Sequence, residues 1–143
     1  MFAWCRGCAL GGFFLIPTVL AMTFAAMTAT AEQTLHVPSG QRVDLNEVLL
    51  DDSMGELWVR FRFVAPRIGK VSGSISFDVA VYDIDHLCNE FAVPYLVEYA
   101  LEPERVIVSL SDRALEFGAT NHDATQFFGA YRLESARCIW EEF

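Results

Sequence analysis

The clearest pattern in the chain is a two-residue alternation from Leu57 to Val64, with Leu57, Val59, Phe61 and Phe63 on one side and Trp58, Arg60 and Arg62 on the other. Period two sends successive side chains to opposite faces, so the segment reads as a strand with one apolar face. Further along, Phe77, Ala80, Val81, Ile84, Leu87, Cys88 and Phe91 recur at helical spacing, with Ser76 placed as N-cap and Asp78 in the first turn. This predicts an amphipathic helix over 77–92 with Cys88 on its apolar face. Pro94 cannot donate to the carbonyl of Glu90, which predicts a kink or restart and a second short helical piece from Tyr95 to Tyr99.

The remaining segments are shorter. Leu35–Val37 reads as a brief strand ended by the turn residues Pro38-Ser39-Gly40. Asp44 and Glu47 form a capping pattern ahead of Val48, Leu49 and Leu50, which predicts a short helix closed by Gly55. Pro66, Gly69 and Gly73 mark a loop. Arg105–Ser111 is rich in β-branched residues and reads as a strand, with Asp112-Arg113 turning it into Ala114–Phe117. After a polar loop over 118–123, Phe127–Leu133 and Arg137–Trp140 form a hairpin pattern across Glu134-Ser135-Ala136, without the Asn-Gly of the strongest hairpins. This order of elements predicts an α+β fold, a two-layer domain in which an antiparallel sheet carries one main amphipathic helix packed on one face.

The N-terminus changes the picture of the cysteines. Arg6 is the only charge before Glu32, an apolar run follows it, and Ala29-Thr30-Ala31 fits signal-peptidase cleavage. Residues 1–31 are therefore expected to be a signal peptide and 32–143 a single globular domain, periplasmic or secreted. An uncleaved leader would instead anchor the domain in the membrane; after cleavage no membrane span is expected. Of four cysteines, Cys88 and Cys138 stay with the mature chain, and an oxidising compartment favours their pairing as a disulfide over a reactive thiol. Losing Arg6 from 10 basic residues, and none of the 19 acidic ones, takes the net charge from −9 to −10. Such a chain is repelled by nucleic acid, which is not expected as a partner.

Two clusters could carry chemistry. Asp83, His86 and Glu90 share one helix face at the spacing of a carboxylate–histidine metal site. That face lies opposite the apolar stripe and reads as a solvated acidic surface, and no second histidine stands at a zinc-like spacing, so no metal is expected. Arg60, Arg62, Arg67 and Lys70 form a basic stretch free of acids and are the candidate contacts for a partner, an unknown protein or an anionic envelope component. Serine elbows, phosphate loops and dinucleotide fingerprints are missing from the sequence, so no cofactor is expected.

The run Gly55–Pro66, together with Asp85-His86-Leu87-Cys88, Ser109–Arg113, Glu116-Phe117-Gly118, Ala124–Phe128 and Cys138–Phe143, resembles a family of small exported bacterial proteins catalogued only as a domain of unknown function. The resemblance implies a single small domain, supports the cysteine pair and transfers no activity. A binding, inhibitor or envelope accessory protein is the expected function, with a small hydrolase or metal-dependent enzyme as the alternative.

Overall fold

Strand β3 (Trp58–Val64) forms where the alternation predicts it, and the side chains of Val59, Phe61 and Phe63 are buried almost completely. β1 (Thr34–His36) and β2 (Arg42–Asp51) precede it; β4 (Arg105–Ser111), β5 (Gln126–Glu134) and β6 (Arg137–Trp140) follow. The computed structural model describes residues 34–71 and 73–142, so the expected leader at 1–31, with Cys5 and Cys8, lies outside the described residues.

The six strands form one sheet in chain order. Each neighbouring pair is antiparallel except β3 and β4, which run parallel with Trp58 opposite Arg105 and Phe63 opposite Leu110. The fold is α+β, but the sheet is mixed and not the antiparallel one expected. The physical reason is the connection over residues 65–104. A crossover that carries a helix returns the chain to the end of the sheet where the previous strand began, so the next strand runs the same way.

That crossover holds α1 (Phe77–Leu87), a turn of π-helix (Cys88–Ala92) and α2 (Val93–Glu98), a continuous helical body of 22 residues. Ser76 sits at the N-cap as expected, although its hydroxyl makes no capping bond. The restart expected at Pro94 takes the form of the wider π turn just before α2, and the helix continues through it. Ala80, Ile84, Leu87, Cys88, Ala92 and Leu96 are buried against the sheet. Phe61 meets Phe91 and Tyr95 edge-on at 6.0 and 5.3 Å, and Phe63 meets Phe91 at 5.6 Å. Gly129 in β5 makes the close approach possible: a β-carbon there would fall 2.9 Å from Ile84 Cγ2 and 2.7 Å from Trp140.

Two expected elements differ. The short helix expected from Asp44 is strand β2, because Asp44 accepts hydrogen bonds from the Thr34 hydroxyl and Arg42 Nε instead of helix N–H groups. A register shift between Leu45 and Glu47 inserts Asn46 as an extra residue. The bulge puts Val43, Leu45, Val48 and Leu50 on one face, and the irregular spacing hides the strand period. Ala114–Phe117 is not a strand either; it belongs to the loop between β4 and β5. The closing hairpin forms with Ser135 and Ala136 both at positive φ, 50° and 58°, the backbone a two-residue turn requires.

Candidate functional site

The helix covers one face of the sheet and leaves the other to its own side chains. On β3, the residues between the buried positions are Trp58, Arg60 and Arg62; β4 adds Ile107 and Ser109, and β5 adds Gln126 and Phe128. Over them folds the loop after β4, with Leu115 to Ala119, enclosing a half-open cavity of about 390 Å³.

Arg60 and Arg62 enter the cavity already oriented. Arg60 places Nε and Nη2 3.0 Å from one carboxylate oxygen of Asp51. Arg62, which is buried, pairs through Nη1 with Glu47 and donates from Nη2 to the Leu115 carbonyl at 3.0 Å. The cross-strand register explains both pairs, since Glu47 lies opposite Arg62 and Asp51 stands at the end of β2 beside Trp58. The Ser53 hydroxyl and N–H, and then Arg60, hold the Asp51 carboxyl below its ordinary value. The Arg60 guanidinium lies near two rings, 5.2 Å from the Trp58 centroid and 5.5 Å from that of Phe117, and the Arg62 guanidinium is 5.7 Å from Phe117. Phe117 is more than half exposed, so the loop presents this ring at the cavity's rim.

The basic stretch does not act as a unit. Arg67 binds the Ser74 hydroxyl and Lys70 donates to the His122 carbonyl, both away from the cavity. The aromatic residues that accompany Arg60 and Arg62 come from elsewhere in the chain. Trp58 could have been found from the alternation itself and Phe128 from its alternation with Phe127; Phe117, on a loop, left no signal.

Asp83, His86 and Glu90 likewise part company. Asp83 is fully buried, contrary to the expected solvated face. It accepts from the Ser39 N–H at 2.9 Å and from the Ser39 hydroxyl and Gln41 Nε2 at 2.6 Å each, which tethers the β1–β2 turn to α1. The cause is tertiary: that turn folds over the helix, which periodicity along the helix cannot reveal. His86 and Glu90 border a separate recess of about 130 Å³ with His36. Among the described residues no group of three or more His, Cys, Asp or Glu is placed to hold a metal ion.

Cys88 and Cys138 are joined, with their α-carbons 6.1 Å apart, so the bridge ties the π turn to β6. Asn89 Oδ1 accepts from the Cys138 N–H at 3.1 Å beside it.

Fold and site together describe an α+β domain with a helix-covered sheet face and an open face bearing an arginine and aromatic cavity. The chain belongs to the family of unknown function DUF6497, whose model matches residues 19–143. No curated protein and no solved structure matches it. Among the described residues no helix is long and apolar enough to cross a membrane.

Proposed function

We propose that this is an exported binding module, periplasmic or secreted, that acts as an accessory or inhibitor protein and engages its partner through the cavity on the open face of the sheet. One observation carries the reading: Arg60 and Arg62 are held in place by Asp51, Glu47 and a backbone carbonyl, beside the rings of Trp58 and Phe117, in a cavity that opens to solvent. Oriented donors beside exposed rings suit recognition of an acidic group. The leader pattern and the cysteine pair support export. The candidate metal-site residues speak for binding over catalysis: Asp83 is engaged by the β1–β2 turn, and His86 and Glu90 border a different recess.

The test is photo-crosslinking in the producing cell. A benzophenone side chain installed at Phe117 should capture one envelope partner, whereas the same group at Tyr82, exposed on the outer side of the helix, should not. Capture at Tyr82 with none at Phe117 would sink the assignment of the open face.

A further inference from the structure

The uncommitted polar atoms of the cavity narrow the chemistry of what enters it. A guanidinium has five N–H donors. Arg60 commits Nε and Nη2 to Asp51, and Arg62 commits Nη1 and Nη2 to Glu47 and Leu115, which leaves Arg60 Nη1 and Arg62 Nε for a further acceptor. Ser109, more than nine-tenths buried and lining the cavity, makes no side-chain hydrogen bond among the described residues. The indole N–H of Trp58 is buried and also lacks a partner. The lining includes one carboxylate, that of Glu116, which is exposed at the rim and screened by solvent. Donors therefore outnumber acceptors at the floor, while Ile107, Phe117 and Phe128 supply flat apolar walls.

We infer that the cavity binds a small carboxylate with a flat apolar body, its carboxylate oxygens on the free N–H edges of Arg60 and Arg62 and its ring between Phe117 and Phe128. Each guanidinium has a ring beside it and a free N–H edge, and a planar carboxylate matches such an edge. A volume of about 390 Å³ lies at the small end for ligand pockets and suits one bicyclic body better than a long chain. This inference rests on the reading of the cavity as the binding site.

Three probes on the same ring system separate the two ideas: naphthoate, the neutral isosteric naphthamide and the cationic naphthylmethylamine, titrated by NMR into the chain as isolated from the producing cell. Naphthoate should shift the Trp58 indole, the Arg60 and Arg62 side-chain N–H and the Ser109 amide saturably, about tenfold tighter than naphthamide. Added salt and Arg60→Gln should each weaken it. Phe117→Ala, in a loop whose ring is exposed, should keep the fold and loosen naphthoate about tenfold. Equal binding of naphthamide, or tighter binding of the amine, would overturn the carboxylate inference and leave the cavity standing as a binding site. Absence of shifts with all three at millimolar concentration would overturn it as well, and the crosslink at Phe117 would then decide the wider reading independently.

Discussion

The two faces of the sheet are built from the same strands and do opposite work. Towards the helix, Val59, Phe61, Val106, Val108 and Leu110 are sealed from water, and the ring contacts with Phe91 and Tyr95 complete a dry core. Towards the loop, the intervening positions hold Trp58, Arg60, Arg62, Ser109 and Phe128, of which Arg62 and Ser109 are buried and Phe128 is more than half exposed. An open sheet face can be covered by its own long side chains when arginine stems and rings lie flat upon it. The comparison teaches that the dry apolar core lies on one face, while the other buries Arg62, Ile107 and Ser109 and still carries a polar cavity open to solvent.

The largest expected effects test that division. Phe61→Ala should cost about 3–5 kcal/mol, while Phe128→Ala on the opposite face should stay within about 0.5 kcal/mol. Comparable losses in denaturant unfolding would show that the open face is also core. Replacing Cys88 or Cys138 with Ser should lower stability by about 2–5 kcal/mol, because the bridge closes a loop with a separation of 50 residues between helix and sheet. Thermal melts with and without reductant would check this, and the wild-type protein should lose the same increment when reduced.

Gly129→Ala comes next, at about 1–3 kcal/mol, since the added carbon presses on Ile84 and on the Tyr131 hydroxyl that is bonded to Asp85. A neutral result would mean that helix and sheet separate easily and that the covered face is less closely packed than described. Arg62→Ser should cost about 1 kcal/mol by leaving Glu47 and the Leu115 carbonyl without their partner. In the Glu47→Gln background the loss should shrink. A full loss in that background would place the value of Arg62 in its ring and backbone contacts instead.

The smallest effect is in pH. Burial, then the hydrogen bond to Asp85, raises the Tyr131 phenol above its ordinary 10.0. The folded state therefore keeps a proton that the unfolded chain gives up. The stability this contributes is complete below pH 10 and is lost as pH rises beyond it. Unfolding midpoints followed from about pH 9 to pH 11 should fall in the wild type more steeply than in Tyr131→Phe. Parallel slopes would contradict this account of the phenol.

How much of this was legible in the sequence depended on the range of the forces involved. Periodicity of two over Leu57–Val64 and of helical spacing over Phe77–Phe91 were enough to place β3 and α1, because each reflects local geometry against a single apolar surface. The cysteine pair could be anticipated because a leader expected at 1–31 would take Cys5 and Cys8 with it, and Cys88 and Cys138 are joined. The bulge at Asn46 concealed β2 by breaking the period, and the parallel turn of β4 was implied by the helix between the strands but hidden among shorter antiparallel connections.

What the chain determined by itself, then, is which residues face alike on each local element, the sheet-and-helix content that follows, and the placement of Arg60 and Arg62 opposite the core. Only the tertiary structure decided their surroundings. It brought Glu47 of β2 opposite Arg62 of β3, laid the loop carrying Phe117 over the guanidinium groups, set Phe128 beside Ser109, and buried Asp83 beneath Ser39 and Gln41. The reason is physical: facing is set by backbone geometry within a few residues, whereas ion pairs, ring contacts and cavities join segments far apart in the chain and exist only after the sheet has chosen its register.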